Sequence, residues 1–222
     1  KKLDFHNLTE VTGGTLISGC NALENVDLSS ASILNSTMLL NGLLSLKTVI
    51  LNDNVQCKNL YFQDSGVKNE LTVLSKKITD ISTTYPFIMR VERLILPITE
   101  SCSICIGRSN GSYNNSTTTY IYFGAVGSLD DTIYIYASER SAAVERDIEI
   151  GDNTRQIITI KNIPMLAENI VNHIFKKLAD NNFEDDGVTP APAIKITIGS
   201  NNLARLTDEE KAIATDKNYI LA

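Results

Sequence analysis

Tryptophan is absent from this chain of 222 residues, and the aromatic content is only 6%. The four cysteines are too few for a disulfide scaffold in a chain of this length. No apolar run approaches the roughly 20 residues of a membrane-spanning helix, so we expect no membrane insertion in this segment. Basic residues number 20 against 26 acidic ones, and the net charge of −6 argues against nucleic-acid binding.

The cysteines offer little chemistry. Cys102 and Cys105 form an isolated C-x-x-C whose flanking isoleucines indicate a strand, and no second Cys/His pair at suitable spacing completes a zinc site. On a strand, residues three apart point to opposite faces. Cys20 occupies the position that Leu43 holds in the next copy of an internal repeat described below, so we expect it to be a small buried hydrophobe.

Catalytic and metal-binding signatures are also lacking. Neither His6 nor His173 accompanies a nucleophile motif. The acidic runs at 130–131 and 184–186 lack the alternate-residue spacing of a calcium loop, and solvated loops are the simpler interpretation. No glycine-rich phosphate-binding motif occurs. We therefore expect a protein that is not an enzyme and has no cofactor or metal.

An internal repeat is the most informative feature of the chain. The segment at 16–28 returns at 39–51, and both contain the pattern L-x-x-V-x-L. Because the copies begin at positions 16 and 39, the period falls in the range of roughly 20 to 50 residues that indicates a solenoid. In a solenoid each repeat lays one strand beside that of the next repeat. The repeat predicts that five apolar pairs are equivalent positions on stacked strands: Leu3/Phe5, Val26/Leu28, Val49/Leu51, Leu71/Val73 and Leu94/Leu96.

The middle of the chain keeps strand signals but loses the period. Between positions 101 and 160 the β-rich segments are predicted at 104–106, 120–123, 133–136, 148–150 and 157–160. The polar, glycine-containing segment at 110–119 is predicted to be a long loop inserted between strands.

The part of the chain from position 163 onward changes character. Pro164 opens a predicted helix that runs to about Asp180. Its apolar face is predicted to consist of Leu166, Ile170, Ile174, Phe175 and Leu178. A strand at 194–198, a capping-box helix from Thr207 to about Lys217 and a final strand at 219–221 follow. Two domains are expected: a repeat solenoid at 1–162, regular to about position 100, and a closing unit at 163–222 that covers the end of the stack.

Two segments resemble a known family. The segment at 17–28 reads I-S-G-C-N-A-L-E-N-V-D-L and resembles the BspA-like leucine-rich repeat, whose units share Gly-Cys, Leu, an aliphatic residue and a final Leu. The segment at 194–222 contains N-L-A-R-L-T-D-E-E-K-A-I-A and is similar to the closing unit of such proteins in gut bacteria and their phages or prophages. The resemblance implies an α/β leucine-rich-repeat solenoid in a secreted, surface-attached or virion-borne binding protein, with no catalytic residues.

Tyrosines give the candidate binding surface. Tyr120 and Tyr122 alternate on one predicted strand, and Tyr134 and Tyr136 alternate on another, so each pair shares a face. Stacked strands would bring these four beside Tyr113 in the polar loop. Tyrosine offers a large, rigid contact area with a polar tip, which suits protein or glycan recognition. The alternative is that tyrosines on neighbouring strands simply cover the sheet.

The function expected from these features is adhesion: a non-enzymatic protein that presents a repeat surface to a protein or glycan ligand, outside the cell or on its surface. A structural component of a phage tail or virion is the first alternative, and an accessory region of a larger enzyme is a weaker one. The chain opens with Lys1 and Lys2 rather than Met, which suggests a mature or trimmed fragment.

Overall fold

The structure is a computed structural model that describes residues 1–11, 15–41, 43–52, 56–63, 70–75, 92–97, 100–106, 118–124, 130–137 and 142–222. Within these ranges most regular elements are short strands. In chain order they are β1 (Lys2–Asp4), β2 (Glu10–Val11), β3 (Thr15–Ser18), β4 (Asn25–Leu28), β5 (Ile33–Asn41), β6 (Thr48–Leu51), β7 (Gln56–Gln63), β8 (Glu70–Leu74), β9 (Arg93–Leu96), β10 (Cys102–Ile106), β11 (Tyr120–Phe123), β12 (Thr132–Ala137), β13 (Asp147–Ile150), β14 (Ile157–Lys161), β15 (Ile194–Thr197) and β16 (Tyr219–Leu221).

The strands form parallel sheets between which the chain alternates. A seven-stranded sheet has the order β1-β4-β6-β8-β9-β11-β13, and a five-stranded sheet has the order β10-β12-β14-β15-β16. In a third sheet, β5 pairs with β2, β3 and β7. Parallel neighbours cannot be joined by a tight hairpin. Here the chain visits another sheet before it returns, as between β11, β12 and β13. The result is an α/β fold with parallel sheets and few helices.

The register of the seven-stranded sheet follows the repeat at first. Leu3 pairs with Val26, and Val26 pairs with Val49, so each step equals the repeat seen in the sequence. The predicted equivalence then fails, because Val49 pairs with Val73 and not with Leu71. These two residues lie on the same face of β8, so the apolar pattern is satisfied in either register. Leu71 and Leu94 are paired as predicted.

The middle segment continues the seven-stranded sheet in longer steps and begins the five-stranded one with β10. Leu94 pairs with Ile121, and Ile121 pairs with Ile148. The sequence separation within each of these two pairs is larger than that between Val26 and Val49. All five strands predicted between positions 101 and 160 are confirmed as β10 to β14. The predicted loop at 110–119 lies, except for its last two residues, outside the described part of the chain.

One continuous apolar core lies between the sheets. Inward side chains alternate with outward ones, and those of both sheets, such as Ile121 and Ile135, belong to the same buried cluster. The expectation that Cys20 is buried is wrong: Cys20 is exposed, whereas Leu43 in the equivalent turn is fully buried. Cys20 lies at the surface of its turn, where its thiol donates to the Ser18 carbonyl at 3.5 Å. The proposed domain boundary at position 162 stays a prediction.

The predicted helix after Pro164 is shorter and less regular than expected. It consists of an α turn (Ala167–Asn169), a π turn (Ile170–Ile174) and a 3-10 turn (Phe175–Lys177), together called α1. In the π turn the Phe175 N–H donates to the Ile170 carbonyl, so the helix face shifts. Ile170, Ile174, Phe175 and Leu178 are buried as predicted, but Leu166 is 51% exposed.

The closing segment matches its prediction closely. It contains β15, the short α2 (Ser200–Leu203), α3 (Asp208–Thr215) and β16. Thr207 and Glu210 form both hydrogen bonds of the capping box at the start of α3.

Polar side chains attach this segment to the rest of the fold. Buried Asn202 accepts from the Met165 N–H and donates to the Ile163 and Ile198 carbonyls, at 2.8 to 2.9 Å. Lys217 Nζ donates to three carbonyls at the end of α1, the shortest being 2.7 Å to Leu178. The bonds to Lys176 and Leu178 satisfy carbonyls at the end of the helix, where the last turn leaves carbonyls without helical partners.

Candidate binding surfaces

The structure separates the predicted tyrosine surface. Tyr120 and Tyr122 lie on β11 of the seven-stranded sheet, whereas Tyr134 and Tyr136 lie on β12 of the five-stranded sheet. The residues that alternate with them are buried in one shared core, so the two pairs lie on the outer faces of two different sheets. Tyr113 lies outside the described residues. The four described tyrosines therefore do not form one patch.

Charged groups on the outer face of the seven-stranded sheet are paired with one another. Arg93 Nε lies 3.4 Å from a Glu70 carboxylate oxygen, and its guanidinium carbon lies 3.9 Å from the centre of the Tyr120 ring. The Tyr120 hydroxyl donates to Glu149 at 2.5 Å, and Lys177 Nζ lies 2.9 Å from the same carboxylate. Tyr120 is thus engaged on both its ring and its hydroxyl within the protein.

The ionisation of this network reflects its contacts. Burial, followed by the hydrogen bond to Glu149, raises the pKa of Tyr120 well above its usual value. Burial alone would raise the pKa of Glu149, but the Tyr120 hydroxyl and the Lys177 ammonium outweigh it and lower the pKa. The bond to Glu149 raises the pKa of Lys177. Glu149 and Lys177 are therefore a stable ion pair at neutral pH.

The same network attaches α1 to the last strand of the sheet. His173 Nδ1 lies 2.7 Å from Asp147 on β13, and Lys177 also contacts Asp152 at 3.2 Å. A histidine oriented by a carboxylate can serve as a base, but a nucleophile or substrate must be placed opposite it for catalysis. Here the pair joins two elements across their packing interface, so its evident role is structural.

The first strand carries a similar network. Lys2 Nζ lies 3.0 Å from Asp4 and 3.1 Å from Asp27. Hydrogen bonds from Lys2 and the His6 backbone N–H lower the pKa of Asp4 to about 2. His6 also contacts Asp4 through its ring and is exposed.

The outer face of the five-stranded sheet is different in character. Its register aligns a row of hydroxyl side chains across four strands: Ser103, Tyr134, Thr159 and Thr197. A second row contains Thr132, Ile157, Lys195 and Ile220. Three large side chains of this face are notably exposed: Tyr134 at 37%, Ile157 at 38% and Ile220 at 55%. We call the residues of both rows, together with Tyr136 and Lys161, the hydroxyl face.

The charge of the hydroxyl face is one-sided. Lys161 and Lys195 are exposed, and neither takes part in an ion pair within the described ranges. Acidic residues are absent from the outward positions of the described side chains of these strands. The nearest acid along β12, Asp131, precedes the strand and accepts a hydrogen bond from Ser101 at 2.8 Å. The sequence prediction missed Ile157, Lys161, Lys195 and Ile220, although their alternation with buried residues was a readable signal.

Other candidate sites give weaker arrangements. Cys102 is a buried free thiol whose pKa is raised by burial, and the side chain of Cys105 lies outside the described residues. Asp185 pairs with Arg155, and Asp186 accepts hydrogen bonds within its own turn from Val188 and Thr189. Among the described residues, no group of three His, Cys, Asp or Glu could hold a metal ion.

An open crevice of about 290 Å³ lies beside α2 and is lined by residues 142, 162–164 and 198–202. Its most buried polar side chain is Asn202, whose amide is already bonded to the backbone. No helix in the described part of the chain is both long enough and apolar enough to cross a membrane.

Comparison with known proteins does not identify a family. No family model matches the chain, and neither the curated proteins nor the solved structures give a match. The resemblance to BspA-like repeats therefore rests on the residues quoted above, and function must be argued from the two outer faces.

Proposed function

We propose that this chain is a leucine-rich-repeat solenoid of the BspA-like kind, with the segment at 163–222 as its closing unit. The support is the register: Leu3, Val26 and Val49 pair in steps of one sequence repeat, and the pairings between described neighbouring strands are parallel. The N-L-A-x-L-T-D-E motif gives further support, because its polar residues have structural roles. Asn202 bonds to Met165 and Ile198, and Thr207 caps α3.

We further propose that it is a non-enzymatic binding protein, outside the cell or on its surface, that presents the hydroxyl face to a glycan or protein ligand. One observation carries this proposal. On the seven-stranded sheet the outward charged groups and Tyr120 are engaged with one another, and Leu74 is the one notably exposed large apolar side chain among its described strand residues. The hydroxyl face leaves three such side chains exposed, Tyr134, Ile157 and Ile220. Exposed aromatic and aliphatic side chains on a rigid surface are typical of interaction sites.

The test uses one tyrosine from each sheet. The wild-type protein, Tyr134→Ala and Tyr122→Ala are applied to a glycan array, and any glycan bound by the wild type is then titrated against all three. We expect Tyr134→Ala to weaken binding about tenfold or more, as loss of an aromatic anchor does. Tyr122→Ala should bind as the wild type does. Equal affinity of all three proteins for every bound glycan would refute the assignment of the hydroxyl face.

A further inference from the structure

The charge of the hydroxyl face points to the class of its ligand. Across the whole chain acidic residues exceed basic ones and give a net charge of −6. The hydroxyl face carries the opposite charge, since its described charged side chains are Lys161 and Lys195. A local cationic surface on an acidic protein attracts anions and repels the protein's own basic surfaces.

The register fixes where the two lysines lie relative to the hydroxyl row. Thr159 and Thr197 are paired neighbours in this row. Lys161 follows Thr159 at the next outward position of β14, and Lys195 precedes Thr197 at the previous outward position of β15. One cation therefore lies on each side of the row, on the same face of the sheet. The row crosses four strands and spans about 14 Å, because neighbouring strands are about 4.8 Å apart.

We propose that the ligand of the hydroxyl face is an acidic glycan, whose sugar units lie along the hydroxyl row with their carboxylate or sulfate groups near Lys161 and Lys195. This inference rests on the proposed function and specifies its ligand. Serine, threonine and tyrosine hydroxyls both donate and accept hydrogen bonds, as sugar hydroxyls do. The exposed Tyr134 ring supplies an apolar surface for one face of a sugar ring.

An extended acidic peptide is the competing ligand with the same charge. Peptides commonly bind a sheet by adding a strand to an open edge, where main-chain groups are available. The hydroxyl face offers side chains above the sheet, while the main-chain groups of β12, β14 and β15 are bonded to strands on both sides. Repeated hydroxyl contacts across several strands fit a polyhydroxylated chain better.

The experiment measures binding of heparin, polygalacturonate, dextran and polyglutamate to four proteins. These are the wild type, Tyr134→Ala, the double variant Lys161→Gln with Lys195→Gln, and the double variant Lys176→Gln with Lys211→Gln. The last variant is the control, because it removes the same total charge from α1 and α3. Circular dichroism confirms that all four are folded.

We expect heparin or polygalacturonate to bind more tightly than dextran. Loss of Lys161 and Lys195 should weaken that binding about tenfold, as removal of two surface charge contacts implies. The control should retain wild-type affinity. Raising the salt from about 0.1 M to about 1 M, which shortens the Debye length from about 10 Å to about 3 Å, should weaken wild-type binding more than that of the Lys161/Lys195 variant.

Three results would overturn the inference. Equal weakening by both double variants would mean that total charge alone attracts the polymer. Polyglutamate binding as tight as that of the acidic glycans, with the same dependence on Lys161 and Lys195, would assign an acidic polypeptide instead. Binding of neutral glycans that requires Tyr134 but neither lysine would reject the acidic ligand and leave the proposed function standing. If neither glycan nor polypeptide binding depends on Tyr134, the assignment of the hydroxyl face in the proposed function fails as well.

Discussion

Replacing Asn202 tests whether the polar motif of the closing segment has a structural role. The Asn202 side chain is 3% exposed and makes three hydrogen bonds, to the Met165 N–H and to the Ile163 and Ile198 carbonyls. Asn202→Ala removes all three bonds and leaves these main-chain groups to find other partners. An unsatisfied buried group costs about 1–3 kcal/mol. The adjoining crevice allows water to reach some of them, so we expect a total loss of about 2–4 kcal/mol.

The assay is urea denaturation followed by far-UV circular dichroism, because the chain has no tryptophan to report unfolding by fluorescence. The neighbouring Asn201 is exposed and serves as the matched control, so Asn201→Ala should change stability by less than about 0.5 kcal/mol. Asn202→Asp should lower the free energy of unfolding at least as much as Asn202→Ala. Its carboxylate would face the Ile163 and Ile198 carbonyl oxygens, which in the wild type accept hydrogen bonds from the Asn202 amide. A loss below about 1 kcal/mol for Asn202→Ala would refute the reasoning that these bonds hold the closing segment.

Three further predictions concern the stack, the ion pair at its end and the closing unit. Leu28→Ala should lower the free energy of unfolding by about 2–5 kcal/mol, because Leu28 is fully buried, and an unchanged melting temperature would contradict its place in the core. Since the folded-state pKa of Glu149 lies below its usual value near 4.5, its contribution is complete above that pH and is lost as the pH falls through the folded value. The stability difference between wild type and Glu149→Gln should therefore shrink on acidification, and a difference that is constant from pH 7 to pH 3 would rule this out. Deletion of residues 194–222 exposes the edge of β14 and apolar core surface, so we expect aggregation in light scattering, and a soluble, cooperatively folded truncation would disprove the capping role.

The repeat and the β-rich segments were sufficient to predict strands. The repeat identified β4 and β6, and runs of β-branched and aromatic residues identified β11 to β14. Within each strand the buried positions then follow the period of two that is set by the geometry of a single strand. This period could not determine the register at β8. Leu71 and Val73 are both apolar and lie on one face, so pairing Val49 with either would bury the same kind of side chain.

The tyrosine surface shows a second limit of sequence reasoning. Tyr122 and Tyr134 lie on strands that follow one another in the chain, yet the chain crosses from one sheet to the other between them. Which sheet a strand joins depends on contacts with segments that are distant in sequence. The residue pattern of a single strand therefore does not determine its sheet. Helix α1 was predicted in place, but it begins at Ala167 and not at Pro164. Leu166 therefore precedes the helix in an extended conformation and lies at the surface.

The longer steps in the second half of the seven-stranded sheet have an evolutionary consequence. Leu71, Leu94, Ile121 and Ile148 remain in register although the chain between them grows. By loop-closure entropy alone, a few extra residues in a connection of this length cost only about 0.1 kcal/mol. Insertions can therefore accumulate between strands with little thermodynamic penalty while the sheets hold their spacing. Such a scaffold lets mutation explore new connecting segments without endangering the framework that supports them.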